Sequence, residues 1–176
     1  MHGLKDTPRY SYGRARATAC KMRGRGMETM QLHEILAAHL RIDKPQALCN
    51  PQRGQRSSGE ILGGEFTGDR LQGQVLPGGS LFLVPQDDSL ARFSLYYTLL
   101  TDDGIKIDVV GEGLVAFDET DRAPFAESRC RCTCSKQFSV PSGAHDYLQK
   151  NLYVGRLNIK AGDDRLRVSI YQVNEI

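Results

Sequence analysis

The hydrophobic and polar positions from Gly59 onward follow patterns typical of β structure. Near the end of the chain, residues 165–171 alternate and place Leu166, Val168 and Ile170 on one face, which predicts a half-buried strand. Over the first twenty residues of this stretch, glycines are dense enough to exclude a helix and to favour short strands with bulges and tight bends. These glycines are Gly59, Gly63, Gly64, Gly68, Gly73, Gly78 and Gly79.

A β-hairpin is predicted around Gly104, with this glycine in the left-handed position of a three-residue loop. The resulting pairs are Leu99 with Ile107, Tyr97 with Val109, and Leu95 with Gly111. In this register one face is apolar throughout, and the opposite face carries charges of both signs. A two-residue turn would mix apolar and charged residues on each face, so the three-residue loop is favoured.

Residues 31–43 form an ambiguous segment. Leu32, Ile35, Leu36 and Leu40, together with two alanines, fit a helical stripe, and Pro45 provides a stop. Taken alone, this periodicity predicts a helix.

Charge divides the chain into a basic extension, residues 1–26, and a single domain, residues 27–176. The extension has a net charge of +6 and the domain −4. Because the extension has almost no apolar residues, we expect it to be disordered, and Met27 is a candidate effective start. An inert extension is favoured over a transit peptide, a nucleic-acid-binding arm or a membrane tether.

Cysteine usage and hydropathy indicate the compartment. The five cysteines are an odd number without framework spacing, and no apolar run has the 18 or more residues that a membrane span needs. We therefore expect a soluble, cytoplasmic protein.

Three cysteines alternate at Cys130, Cys132 and Cys134, so an extended segment places their sulfurs on one side. Zinc sites usually have two or more residues between paired cysteines, and His145 stands alone downstream. We interpret these residues as buried or incidental thiols, with metal binding and redox sensing as alternatives, and expect no metal.

Other sequence patterns that could indicate a catalytic or cofactor site are excluded by the residues around them. Residues 63–68 resemble a glycine-rich phosphate loop but lack the Gly-Lys-Ser/Thr ending and a following helix. Asp102 and Asp103 fall in the predicted turn, where local hydrogen bonds favour Asp. No nucleophile elbow is present, and no histidine has a suitable Ser or Cys neighbour. We therefore expect no cofactor.

Tyrosines on or beside the predicted strands are more useful candidates, since each combines an apolar body with one hydroxyl that can orient a ligand or act as a mild acid. The alternative is that they fill the core or lie on the surface. The catalytic candidates are Tyr96, Tyr97, Arg92 and His145. The candidates for ligand binding are Phe93, Tyr97, Leu99, Val109, Tyr147 and Tyr153.

Three blocks, taken in order, resemble one known family. They read Gly63-Gly64-x-Phe66-x-Gly68-x-x-Leu71-x-Gly73-x-Val75-x-Pro77-Gly78-Gly79, then Tyr97-Thr98-Leu99-x-Thr101-Asp102-Asp103-Gly104, then Tyr147-Leu148-x-x-x-x-Tyr153-Val154-Gly155 with a terminal Ile170-Tyr171-x-Val173. Together they cover about residues 31–173 and are similar to the domain-of-unknown-function 3237 family, the UPF0311 proteins.

The resemblance implies an all-β fold, an antiparallel barrel of lipocalin-like or cyclase-like type with a central cavity and frequent dimerisation. It also implies a first strand at Leu32–Ile42, in place of the helix. Two positions depart from the family. Where the family usually has an Arg before the tyrosine of the central hairpin, this chain has Tyr96, and Arg92 is a candidate to compensate. Where the family usually has Trp-Leu-Asn, this chain has Tyr147-Leu148-Gln149.

Such a barrel implies two functions. The favoured one is a cofactor-independent enzyme of specialised metabolism that cyclises or isomerises a hydrophobic polyketide-like or terpenoid-like molecule, by cycloaddition or with dehydration. This chemistry needs mainly a shaped, dry cavity, which leaves little motif in a sequence. The alternative is a carrier without chemistry. The expected partners are a hydrophobic small molecule and a second copy in a homodimer, with neither nucleic acid nor membrane, since the acidic body disfavours a nucleic-acid adaptor.

Overall fold

Nine antiparallel strands make up most of the described chain. The computed structural model describes residues 30–43, 56–87, 90–116, 129–160 and 164–175. The strands are β1 (Met30–Ile42), β2 (Ser57–Gly68), β3 (Gln72–Val75), β4 (Gly79–Pro85), β5 (Leu90–Thr101), β6 (Lys106–Ala116), β7 (Arg129–Ser139), β8 (Tyr153–Lys160) and β9 (Arg165–Glu175). The predicted disorder of residues 1–26 lies outside the described residues.

The strands close into a barrel. Each strand from β5 to β9 pairs with the next along the chain, and β1 pairs with β9 on one side and with β2 on the other. Strands β3 and β4 both lie between β2 and β5, one after the other along the barrel. Strands β3 and β4 thus occupy a single position in the sheet, so the closed barrel has eight strand positions. The predicted all-β antiparallel barrel is confirmed.

The β5–β6 hairpin has the predicted register. Leu99 pairs with Ile107, Tyr97 with Val109, and Leu95 with Gly111. Gly104 has a φ of +83°, which is the left-handed conformation that the three-residue loop requires. The apolar face of this hairpin points into the barrel, because Phe93, Leu95, Tyr97 and Leu99 are all buried.

Residues 30–42 form a strand, so the helix predicted from periodicity alone is wrong and the strand implied by the family resemblance is confirmed. From Leu36 to Ile42 every second residue is buried. Leu36 and Leu40 misled the helical interpretation because a spacing of four fits both a helical turn and two strand repeats. Ahead of them, a register shift between Glu34 and Leu36 interrupts the pairing with β9.

One end of the barrel is covered by a short 3₁₀ helix, Asp146–Gln149, in the β7–β8 connection. Leu148 of this helix is buried, and the Arg70 guanidinium carbon lies 4.1 Å from the centroid of the Tyr147 ring. His145 Nε2 lies 3.1 Å from Asp103 Oδ2 in the β5–β6 turn. These contacts hold the helix to two neighbouring turns.

The barrel interior is mainly aliphatic and aromatic. Tyr97, Tyr153, Phe66 and Phe93 are its largest fully buried side chains. Leu166, Val168 and Ile170 of β9 are buried as their alternation predicted. No helix within the described ranges has the length and hydropathy of a membrane span.

Candidate functional site

A lysine lies inside the barrel. On β7 the inward positions are Cys132, Cys134, Lys136 and Phe138, because every second residue of this strand is buried. Only 2% of the surface of Lys136 is exposed. Lysine is rarely buried to this extent without a charged partner, so the position is a candidate for function.

Glycines on both neighbouring strands make room for this lysine. Gly111 of β6 pairs with Lys136, and Gly155 of β8 pairs with Cys134. A Cβ atom on Gly155 would lie 2.6 Å from Lys136 Cε, and one on Gly111 would clash with Nζ. The lysine side chain therefore occupies space that larger residues on β6 and β8 would fill.

Tyr97 of β5 faces the same part of the interior. Lys136 Nζ lies 5.4 Å from the centroid of the Tyr97 ring, within the range of a cation–π interaction. Tyr97 is fully buried, and its hydroxyl has no hydrogen-bond partner among the described residues. Lys136 Nζ also lacks a hydrogen bond there. We name Tyr97, Cys134 and Lys136 the interior lysine site.

Burial changes the proton affinity of all three groups. It lowers the pKa of Lys136 to about 8, an effect that the neighbouring Cys134 partly offsets. It raises the pKa of Tyr97, and Cys134 adds to that rise. It also raises the pKa of Cys134, against the opposing influence of Lys136 and of the Gly155 carbonyl, 3.6 Å from the sulfur. Near neutral pH, the tyrosine and the thiol stay protonated, while part of the lysine population is neutral.

Five of the predicted ligand-binding residues point into the barrel: Phe93, Tyr97, Leu99, Val109 and Tyr153. Tyr153 pairs with Lys136 across β7 and β8, and its ring meets that of Phe138 edge to face, with centroids 4.9 Å apart. Tyr147 lies in the 3₁₀ helix at the barrel end, under the guanidinium of Arg70, and packs against the core. Its carbonyl oxygen accepts a hydrogen bond from the Tyr153 hydroxyl, and its own buried hydroxyl has no partner among the described residues.

Three predicted catalytic candidates lie away from the interior lysine site. Tyr96 and Arg92 lie on the outer face of β5, since strand alternation turns them away from Tyr97, and Tyr96 is 41% exposed. A catalytic role for these two residues stays a prediction, and it would require a site on the outer face of the barrel. His145 is buried at the end of the barrel and paired with Asp103. Only Tyr97, of the four catalytic candidates, belongs to the interior lysine site.

Sequence reasoning missed Lys136, although a signal was present. The alternation of Cys132 and Cys134 puts residue 136 on the same side of the strand two positions later. Both cysteines are free and buried, as that alternation suggested. The side chain of Cys130 lies outside the described residues, and no group of three potential metal ligands occurs among the residues that are described.

Comparison with known proteins identifies the family. The model of the protein family described as "Protein of unknown function (DUF3237)" matches residues 30–173. The chain belongs to the DUF3237 family. A UPF0311 protein from Clostridium acetobutylicum is 27% identical to this DUF3237 protein over 89 residues, which are 50% of this chain and 56% of that protein. The chain thus spans about half the length of this curated relative.

Solved structures share the fold of this DUF3237 protein. A protein of unknown function from Clostridium acetobutylicum has a TM-score of 0.71 and 19% sequence identity, covering 85% of this chain and 100% of its own. A protein described as an enzyme from Penicillium herquei has a TM-score of 0.57 and 16% identity, covering 87% of this chain and 100% of its own. At sequence identities of 19% and 16%, the similarity of these structures to this protein establishes only the fold.

Proposed function

We propose that this protein is a cofactor-independent enzyme of specialised metabolism that binds an apolar, polyketide-like or terpenoid-like molecule inside the barrel and promotes its cyclisation or isomerisation. The observation that carries the proposal is the interior lysine site. Lys136 and Tyr97 are polar groups without hydrogen-bond partners, among the described residues, in an interior that is otherwise mainly apolar.

Lys136 is suited to act as a general base. With a pKa of about 8, a substantial fraction of its amine is neutral near physiological pH and can accept a proton. The proton would come from a carbon next to a carbonyl group, or from a hydroxyl group of the substrate. Exposed lysines, with an ordinary pKa of about 10.4, hold far less neutral amine at this pH.

Tyr97 is suited to stabilise the anion that this transfer forms. Because burial raises its pKa, the phenol keeps its proton and can donate a hydrogen bond to the developing negative oxygen. The anion then attacks an electrophilic carbon of the same molecule, and Lys136 returns the proton to the product. A cyclisation or isomerisation of this kind is balanced without an oxidant or reductant. Where a hydroxyl group leaves, the returned proton departs with it as water.

The comparison with solved structures supports this proposal only through the fold. The Penicillium herquei protein is described as an enzyme, so this barrel architecture is used for catalysis in at least one case. The free thiols of Cys132 and Cys134 agree with a reducing compartment such as the cytoplasm.

The test is turnover. Purified full-length protein is incubated with linear polyketide and terpenoid precursors, and the rate and stereochemistry of product formation are followed by chiral chromatography with mass spectrometry. We expect acceleration over background, reduced about 10²- to 10⁴-fold by Lys136→Met because general-base catalysis is lost. Lys106→Met, at an exposed position on the neighbouring strand, is the matched control and should retain full activity.

Binding without acceleration is the outcome that removes the enzyme proposal. If the precursors bind with unchanged conversion rate and product stereochemistry, the barrel is a small-molecule carrier instead. Acceleration that is unaffected by both Lys136→Met and Tyr97→Phe would place the chemistry outside the interior lysine site.

A further inference from the structure

We infer that the interior lysine site binds an acidic phenol or enol, whose oxygen takes up the negative charge opposite the Lys136 ammonium and accepts a hydrogen bond from Tyr97. The inference names the substrate class of the proposed function and rests on it for the location of the ligand. It makes a separate claim about binding, which can be measured without turnover.

The charge around Lys136 is the first argument. The elements packed around it offer Tyr97 from β5, Gly111 from β6, Cys134 from β7 and Gly155 from β8. None of these groups is a carboxylate. Acidic side chains with ionic partners in the described structure lie elsewhere, as the pairs His33–Asp69, His145–Asp103 and Lys150–Asp146. A ligand oxyanion would therefore be the counter-charge that the protonated lysine lacks.

The two donors are the second argument. Lys136 Nζ and the Tyr97 hydroxyl are both buried, and neither makes a hydrogen bond of ordinary geometry within the described chain; the Cys134 thiol beside the ammonium is a weak acceptor. An sp² oxygen of a phenolate or enolate can accept two hydrogen bonds at once. A phenolate or enolate therefore supplies the acceptor that both donors lack, whereas a hydrocarbon ligand would leave both of them unpaired.

The match of proton affinities separates a phenol or enol from a carboxylic acid. Proton exchange between two groups is most efficient when their pKa values are close, and Lys136 has a pKa of about 8. Acidic phenols and enols approach this value, whereas a carboxylic acid is already ionised in water and has to lose the hydration of a full charge on entry.

Aromatic neighbours favour a planar ligand. Tyr153 pairs with Lys136 across the sheet, and Phe138 packs against Tyr153 with the two ring planes at 81°. The centroid of the Tyr97 ring lies 5.4 Å from the ammonium nitrogen. Ring faces and edges of this kind pack well against a flat, conjugated ring such as that of a phenol.

The experiment uses three probes of similar size: 4-nitrophenol, 4-nitroanisole and 4-nitrobenzoate. Binding to the purified full-length protein is measured by calorimetry, and the absorbance of the nitrophenolate is followed against pH. We expect 4-nitrophenol to bind about ten- to a hundredfold more tightly than the ether, which corresponds to one charge-assisted hydrogen bond. The bound probe should ionise at a lower pH than the free probe, since the ammonium stabilises the phenolate.

Two variants test the origin of the effect. Lys136→Met should abolish both the preference for the phenol and the shift in its ionisation, while Tyr97→Phe should weaken the preference and keep most of the shift. Lys106→Met should change neither. Equal affinity for the phenol and the ether, or a phenol preference that persists in Lys136→Met, overturns the inference. Tighter binding of 4-nitrobenzoate than of 4-nitrophenol also overturns it, and assigns the site to carboxylates.

The outcomes separate this inference from the proposed function. Phenolate binding without turnover of any precursor leaves the inference standing and removes the enzyme proposal. Turnover of neutral precursors by a protein with no preference for the phenol leaves the enzyme proposal standing and overturns the inference.

Discussion

Lys136 is a costly residue for the folded state. Its ordinary pKa of 10.5 falls to about 8 because the ammonium is buried, with only a tyrosine ring and a thiol beside it. A difference of this size corresponds to about 3 kcal/mol of unfavourable free energy for the protonated form. Glycines at positions 111 and 155 leave space for the side chain, so the sequence of three strands accommodates a residue that lowers stability. Such an arrangement is typical of functional sites.

The pH dependence of this cost has a defined sign. Well below pH 8 both the folded and the unfolded chain carry the proton on Lys136, and the folded state bears the full penalty. Between pH 8 and 10.5 the unfolded chain binds more protons, so the contribution of Lys136 to the free energy of unfolding rises with pH. Above 10.5 the penalty is gone.

Lys136→Met should therefore stabilise the protein at pH 7, by up to about 3 kcal/mol, because an unbranched apolar side chain replaces a buried charge. The gain should become clearly smaller at pH 9.5. Urea denaturation at the two pH values measures both quantities, and the exposed substitution Lys106→Met serves as control. A variant that is less stable than the wild type at pH 7, or a gain that does not vary with pH, would contradict this account of Lys136.

At the scale of the element, the β5–β6 hairpin determines which residues face the interior. Its turn is held by the Gly104 amide, which donates to the Thr101 carbonyl, and by the Ile105 amide, which donates to the Thr101 hydroxyl. Hydrogen bonds from the Thr101 hydroxyl and, next, from His145 lower the pKa of the Asp103 carboxyl. The turn thus sets the register that places Tyr97 in the barrel and also supports the 3₁₀ helix at its end.

Gly104→Ala should destabilise the protein by about 1 kcal/mol, because residue 104 has a positive φ that an L side chain rarely adopts. A Cβ atom there has open space around it, so the cost is conformational and not steric. Gly104→Asn is the matched control and should recover part of the loss, since Asn tolerates this conformation. Thermal unfolding of the three proteins measures the difference, and equal losses for Ala and Asn would argue against a conformational cause.

At the scale of the whole molecule, the described strands pair around a closed barrel, which leaves its outer faces as the main surfaces for a homodimer. Four large apolar residues on the outer face of β4, β5 and β6 are between 38% and 50% exposed: Phe82, Tyr96, Val110 and Leu114. Arg92 pairs with Leu114, and Glu112 lies on the same face of β6. A two-fold arrangement can bring the arginine of one copy to the glutamate of the other.

We therefore expect the predicted homodimer to form through this β4–β6 face. The double substitution Val110→Lys and Leu114→Lys should give a monomer in sedimentation velocity, since it buries charge at the centre of the interface. Leu152→Lys, at a more exposed leucine near the barrel end, should leave the dimer intact. A wild-type monomer, or equal disruption by Leu152→Lys, would rule out this face.

The sequence by itself determined the local features of this protein. The period-two alternation of β9 and the apolar face of the β5–β6 hairpin follow from which residues neighbour each other along one strand and one turn, and both were predicted correctly. Residues 30–42 mark the limit of such reasoning, because Leu36 and Leu40 fit a helix and a strand equally well, and pairing with β9 and β2 decided between them.

Only the tertiary structure decided the candidate site. Lys136 and Tyr97 lie on strands separated by β6, and their contact depends on the pairing of β5, β6 and β7 and on the small residue at Gly111. Alternation along β7 is enough to place Lys136 inside the barrel. The pairing of the strands brings the Tyr97 ring near it and places Gly111 and Gly155 on the two neighbouring strands. The sequence therefore determined the side of the strand on which each group lies. The pairing of β5 with β6, β6 with β7 and β7 with β8 determined their neighbours, because residues tens of positions apart meet only when these strands align in register.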